Sequence, residues 1–276
     1  MSEPDIVVLP DAEACAQDAA ERIATILAAA AVDRGRAHWA TTGGSTPGAI
    51  YRRLAAPPLR DDVPWDRVEL WWADDRFVPF DHPLSNVKIA TSELLASAAL
   101  GGRSGTGASG IDVVAGRTAG VALPAANVHP FPNAEAIGRG LGAAWAAERY
   151  VELLRDVGPP TEGGWPVFDL ILVGIGPDGH LFSVFPDSAA FEESRVALAI
   201  PAPTHVEPHV ERVTLHPRVL DVAREIVVVV TGASKAAVLA DVLQSEPEPR
   251  RLPAQVARRD GAVWILDEAA AANLSR

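Results

Sequence analysis

The chain has 276 residues, 48% of them hydrophobic and 22% charged, with a net charge of −12 and a pI near 5.0. That balance fits a globular protein with a sizeable core and argues against a nucleic-acid-binding surface, which needs a basic footprint. The single cysteine, Cys15, excludes an internal disulfide and a cysteine-based metal cluster, and no apolar run approaches the ~20 residues that cross a bilayer.

The opening MSEPDIVVLPDAEAC has neither the basic start nor the long apolar stretch of a signal peptide, so a cytoplasmic protein is expected. Asp5–Leu9 reads as a strand and 12–32 as an Ala-rich helix. Residues 37–42 read as a strand, 47–55 as a helix, 68–73 as a strand and 85–98 as a helix. A long helix is expected over 134–156, with apolar positions at Ile137, Leu141, Trp145 and Tyr150. Strands follow at 169–174, 196–200, 212–215 and 226–231, then a helix at 234–244, a strand at 262–266 and a closing helix at 268–274. Several strands are continuous apolar runs, as in a parallel sheet covered on both faces. The alternation predicts an α/β protein with a doubly wound, mostly parallel sheet and helices on both faces. No domain boundary stands out, so residues 1–276 read as one α/β domain. Within it, GGRSGTGASGIDVVAGRTAG, residues 101–120, reads as a flexible glycine-rich surface loop.

Four polar clusters follow predicted strands, at the edge where open α/β sheets bind ligands. The first is Gly43-Gly44-Ser45-Thr46-Pro47. Two glycines let backbone N–H groups converge, and a helix start favours an anion, so the stretch is a phosphate cradle or a plain turn in which Ser or Thr caps a helix begun by Pro47. The second is Trp71-Trp72-Ala73-Asp74-Asp75-Arg76, followed by DHPLSN. Its acids and Arg76 suit sugar hydroxyls and a phosphate, or else cap and pair locally; His82 reads as a loop histidine. The third is Gly174-Ile175-Gly176-Pro177-Asp178-Gly179-His180. A histidine beside a carboxylate is a candidate general base. No G-x-S-x-G elbow is present, so an acyl-serine mechanism lacks its usual signal, and no recognisable metal-ligand spacing occurs. The fourth is Thr231-Gly232-Ala233-Ser234-Lys235. Nearly all basic residues are Arg, only Lys88 and Lys235 being Lys. A Lys in the first turn of a helix opposes the macrodipole, so an anionic partner is expected there unless the amine simply reaches water. Glu211-Arg212 adds another cation nearby. Together the four clusters predict one pocket with a phosphate cradle, two or three cations and an Asp/His pair.

The motifs GGSTP, WADDRFVP with DHPLSN, GIGPDGH followed by FP, RVTL and TGASKA stand in an order that resembles the glucosamine-6-phosphate isomerase/6-phosphogluconolactonase family over nearly the whole chain. The resemblance implies hydrolysis of 6-phosphoglucono-1,5-lactone to 6-phosphogluconate in the pentose phosphate pathway, with no metal or cofactor. It implies that Gly43, Gly44, Ser45 and Thr46 hold the phosphate with Lys235 and one or both of Arg76 and Arg212. Asp74 belongs to the same binding set. His180 would activate water, with Asp178 orienting it. Three departures from the family pattern cover four positions: Asp75 for Glu, Leu181-Phe182 for Thr-Ala after the histidine, and His216 for Thr. The isomerase branch would require Asn-Asp-Gly-His and an acid five residues after the histidine. Here Pro177 precedes Asp178 and the fifth residue after His180 is Phe185, which favours the lactonase. An isomerase- or deaminase-like enzyme and a non-catalytic sugar-phosphate sensor are the alternatives. The expected partner is a small-molecule substrate, without nucleic acid or membrane. Oligomeric state stays open, with a monomer as the default.

Overall fold

A computed structural model of the chain describes residues 4–95 and 120–275. The glycine-rich segment 101–120 lies outside the described residues apart from Gly120, as does the end of the helix expected at 85–98. The chain begins β1 (Asp5–Leu9), α1 (Ala12–Arg34), β2 (Ala37–Thr41), α2 (Ser45–Leu54), α3 (Leu59–Asp62), β3 (Val68–Trp72), β4 (Asp74–Arg76) and α4 (Asn86–Glu93). It continues β5 (Val128–His129), α5 (Asn133–Gly138), α6 (Ala143–Val157), β6 (Thr161–Glu162), β7 (Trp165–Pro166), β8 (Leu170–Val173), β9 (Ala197–Ile200) and β10 (Arg212–Leu215). The last elements are α7 (Val219–Val222), β11 (Glu225–Val230), α8 (Ala236–Gln244) and β12 (Ala262–Asp267).

Seven strands make a wholly parallel sheet in the order β1-β12-β11-β8-β2-β3-β5. The inner strands are apolar because both faces are covered. Every residue of β2, β3 and β8 is buried, whereas the edge strand β1 is largely exposed. α1 packs a face of small residues, Ala16, Ala19, Ala20 and Ala24, with Ile23 and Leu27, onto this sheet. Asp11 caps its start by accepting the Ala14 N–H at 2.8 Å, and Gly35 ends it at φ +79°, a left-handed conformation that favours glycine. Cys15 is buried within α1.

Three further strands form a small antiparallel sheet, β4-β10-β9. It is joined to the main sheet at Ala73, whose N–H bonds Thr41 O at 2.7 Å and whose carbonyl accepts from Leu215 at 2.7 Å. The small sheet therefore stands beyond the carboxyl ends of β2 and β3, and its strands carry Arg76 and Arg212 to the ligand-binding edge.

Several expectations are corrected. The long helix over 134–156 is two helices, broken between Gly138 and Ala143. Gly140 there sits at φ +68°, and Ile137, expected on the apolar face, is among the exposed hydrophobics. The closing helix is a short 3-10 turn over Ala270–Asn273. α2 begins at Ser45, not Pro47, so Ser45 and Thr46 lie in its first turn and Gly44 precedes it without a side-chain cap.

Candidate active site

A cleft of about 330 Å³ opens at the carboxyl edge of the parallel sheet. It collects the ends of β2, β8 and β11. Gly43, Gly44, Ser45, Thr46, Arg76, His180, Arg212 and Lys235 all line it. Eight of the ten residues expected in the site thus meet in one cavity. The other two, Asp74 and Asp178, are not among the lining residues.

The cradle follows from β2 running into α2. Gly44 adopts φ +111°, which turns the chain sharply into the helix, and no side chain caps that end. The first-turn N–H groups of α2 are therefore left for a ligand, with the Ser45 and Thr46 hydroxyls beside them. Tyr51 locks the turn: its hydroxyl donates to Thr42 O at 2.5 Å and lies 2.7 Å from Thr41 Oγ1. Thr46 Oγ1 reaches Thr231 Oγ1 at 3.3 Å, which ties the cradle to the end of β11. A Cβ on Gly43 would overlap the Asn86 amide, so the chain can pass there only as glycine.

That same amide holds a cation. Asn86 Oδ1 accepts from Arg76 Nη1 at 2.6 Å, while its Nδ2 donates to Asp74 O at 2.9 Å and to Asp74 Oδ1 at 3.2 Å. Asp74 also accepts from Thr42 Oγ1 at 3.0 Å and Ser183 Oγ at 2.7 Å. Its carboxylate is thereby occupied in joining three elements, and it is not among the residues that line the cleft. Asp75 is buried and accepts the N–H groups of Arg76 and Asn86 at 2.8 and 2.7 Å and the Ser85 hydroxyl at 3.1 Å. Burial pushes its carboxyl up to about 7, against the pull of these donors. His82 is a turn residue whose Nδ1 accepts the Leu84 N–H at 3.2 Å.

Three cations face the cleft, and none forms an ion pair among the described residues. The Arg76 guanidinium bonds only Asn86 Oδ1 and Leu84 O, and its buried Nε has no partner. Arg212 donates to Val210 O at 3.2 Å and Pro208 O at 2.9 Å. Burial, and then the nearby charge of Arg76, weaken the hold of Arg212 on its proton. Lys235 lies in the 3-10 turn leading into α8 and donates across the cleft to Ile175 O at 2.9 Å. Its amine points inward instead of reaching to solvent, and burial lowers its pKa despite Asp178 nearby. Buried or half-buried cations whose side chains bond only neutral acceptors leave room for an anion.

His180 sits on the loop after β8. Its Nδ1 lies 2.5 Å from Asp178 Oδ1, which also accepts the His180 N–H at 3.2 Å. With Nδ1 taken, Nε2 is the nitrogen left for chemistry. Asp178 is partly buried, which opposes its charge. Hydrogen bonds from His180 and His205 outweigh that burial and hold the carboxyl well below the usual range. A Cβ on Gly176 would overlap the His180 ring, and Gly179 turns the loop at φ +82°. Phe185 packs on the histidine with centroids 4.7 Å apart.

The departures from the family pattern all fall outside the cleft lining. Leu181 is in the main core, and Phe182 is buried beside it at φ +51°. His216 is buried against Trp165, where its Nδ1 accepts the Arg218 N–H at 3.0 Å and burial lowers its pKa. Sequence reasoning missed His205, whose Nε2 bonds Asp178 Oδ2 at 2.9 Å, and the neighbouring lining residues Val206 and Glu207. They lie in a loop of Pro, His and Glu without periodicity, 27 positions from Asp178. Asn86 was also missed as the residue that aims Arg76. Among the described residues no group of His, Cys, Asp or Glu is placed to hold a metal ion, and no helix is long and apolar enough to cross a membrane.

The chain is thus an open parallel sheet with a cleft lined by three cations, and an Asp/His pair, at its carboxyl edge. Residues 10–265 match the model of the family glucosamine-6-phosphate isomerases/6-phosphogluconolactonase, and the chain belongs to that family. Within it the chain is similar to the 6-phosphogluconolactonase of Streptomyces coelicolor, with 32% identity over 99% of this chain and 95% of the relative. The human 6-phosphogluconolactonase is 34% identical over 94% of this chain and 87% of its own. Among solved structures, the Trypanosoma brucei 6-phosphogluconolactonase superposes with a TM-score of 0.78 at 26% identity, each chain fully covered. A monomeric glucosamine-6-phosphate deaminase, at 16% identity and a TM-score of 0.72 over 98% of this chain and 99% of its own, shares the fold.

Proposed function

We propose that the cleft hydrolyses 6-phosphoglucono-1,5-lactone to 6-phosphogluconate, a step of the pentose phosphate pathway, with His180 as general base. The observation that carries this reading is the pairing of His180 Nδ1 with Asp178 in the cavity where Arg76, Arg212 and Lys235 stand without acidic partners. The cations and the cradle at Gly43, Gly44, Ser45 and Thr46 take the phosphate. The lactone carbonyl at the other end of the sugar then lies by His180. Water attacks C1, and its proton passes to His180 Nε2. The C1–O5 bond breaks, the ring oxygen takes that proton back, and the new carboxylic acid ionises. Asp178 steadies the imidazolium between these transfers. General-base help of this kind contributes roughly 10²–10⁴-fold, and fixing the substrate through its phosphate lets the attack proceed as an intramolecular one.

Phe185 supports the lactonase over the isomerase. Five residues beyond His180 it offers an apolar ring packed on the base, where an acid would be needed to move protons during ring opening. The Asp178–His180 pair supports catalysis over sensing, because binding a phosphate needs neither residue. The test is to feed the purified protein freshly made lactone and follow acid release above spontaneous hydrolysis, with ammonia release from glucosamine 6-phosphate measured in parallel. Acid release alone is expected; ammonia release without it would overturn the assignment.

A further inference from the structure

Asp178 is held from both sides. Its Oδ1 meets His180 Nδ1, and its Oδ2 meets His205 Nε2 at 2.9 Å. The two histidines also share an aromatic neighbour: Phe185 packs on His180 and meets His205 edge-on, with centroids 5.6 Å apart. His205 comes from the loop between β9 and β10, and that loop is fixed at several points. Val206 packs on the small cluster of Val184, Phe185, Ala190, Leu198 and Ile200. His209 Nδ1 bonds Pro203 O across the loop at 2.7 Å, and Arg212 grips the carbonyls of Pro208 and Val210. A half-exposed histidine would ordinarily wander among rotamers. Here a seated loop, a ring contact and a carboxylate select one position.

We infer that His205 is a positioning residue of the hydrolytic site, acting through Asp178. A carboxylate with one free oxygen can rotate and offer either oxygen, or a shared geometry, to its histidine. With Oδ2 held by His205, Oδ1 stays on His180 Nδ1, which fixes the tautomer with the proton on Nδ1 and Nε2 bare to accept one from water. His205 donates from Nε2 whether or not its ring is charged, since the partner is a carboxylate. The loop that carries this donor runs directly into Arg212, so one segment supplies both a cleft-facing cation and the support of the base.

This inference rests on the lactonase reading, and two readouts separate their failures. The first needs no substrate: the tautomer of His180, read from its ring nitrogen shifts in ¹⁵N-labelled protein. The wild type is expected to show Nδ1–H alone, and His205→Ala a mixture with Nε2–H; an unchanged tautomer would overturn the positioning role whatever the enzyme acts on. The second is turnover. His205→Ala should lower kcat about tenfold, the loss expected of one charge-assisted hydrogen bond, with KM within about twofold. His205→Gln restores a donor and should recover most of kcat. A rise in KM at unchanged kcat, or no recovery with Gln beside a loss with Ala, would assign His205 to substrate contact or to loop structure and contradict the proposal. A wild type inactive on the lactone would sink the functional reading while leaving the tautomer result to stand.

Discussion

The two edges of the parallel sheet carry similar charges and treat them in opposite ways. At the amino edge Asp169 accepts Arg34 at 2.7 Å, Arg224 at 3.4 Å and the His38 N–H at 2.8 Å. Glu69 there takes Arg36 on one oxygen and His129 on the other, the latter at 2.7 Å. Each of these arginines meets a carboxylate. At the carboxyl edge Arg76, Arg212 and Lys235 meet only carbonyls and an amide, although Asp74, Asp75 and Asp178 lie close by. Those acids bond hydroxyls, N–H groups and histidines. The same fold thus neutralises its charges at one end and keeps them unneutralised at the other. The difference is what supports the proposal of an anion site at the carboxyl edge.

The sharpest way to break this comparison is at the base. His180→Ala should lower kcat by at least a hundredfold, within the roughly 10²–10⁴ that a general base supplies, while calorimetric binding of 6-phosphogluconate survives. The next test exchanges one partner at each edge. Arg76→Ala should raise KM roughly tenfold or more, as loss of a charge-assisted contact to the substrate does, and leave the denaturant midpoint nearly unchanged. Asp169→Asn should do the reverse: it strips Arg34 and Arg224 of their counter-charge, costs about 2 kcal/mol of stability and leaves KM alone. Equal stability losses at both edges would erase the distinction.

Smaller effects should appear in the pH dependence of stability. The Asp178 carboxyl is held below its ordinary 3.8, so its contribution is present above that value and lost as pH falls through the lower, folded value. Asp178→Asn should flatten the acid limb of a denaturant-stability profile. Asp75 has the opposite sign. Its folded carboxyl is raised to about 7, so the folded protein holds a proton that the unfolded chain releases, and stability falls as pH rises from 3.8 to about 7. Asp75→Asn should remove that decline; an unchanged slope would show the carboxylate to be accommodated charged.

The parallel sheet was legible because buried strands are apolar runs and the helices between them keep their period; β1 and β10 stand where the sequence puts them. What escaped was decided by partners distant in sequence. The three residues of β4, Asp-Asp-Arg, carry no strand propensity and are extended because β10 pairs with them. The break in the 134–156 region was signalled by Gly138, Gly140 and Gly142, yet the apolar spacing of Leu141, Trp145 and Tyr150 ran through it. In the candidate site, residue types at strand ends were enough to single out residues 43–46, the three cations and the Asp/His pair as neighbours in space. That Asp74 stands apart from the cleft lining was not legible, because a carboxylate beside an arginine looks the same in sequence whether it faces a cleft or bonds its neighbours. His205 escaped because nothing local ties its loop to Asp178.

The central claim is that the phosphate is taken by the unpaired cations and the lactone carbonyl by His180. It is tested most directly by a crystal structure of the protein with 6-phosphogluconate bound. The phosphate should sit on the first turn of α2, between Ser45, Thr46 and Lys235 with a guanidinium against it, and the C1 carboxylate should lie within hydrogen-bond reach of His180 Nε2. A phosphate at His180, or product bound away from this cleft, would contradict the account.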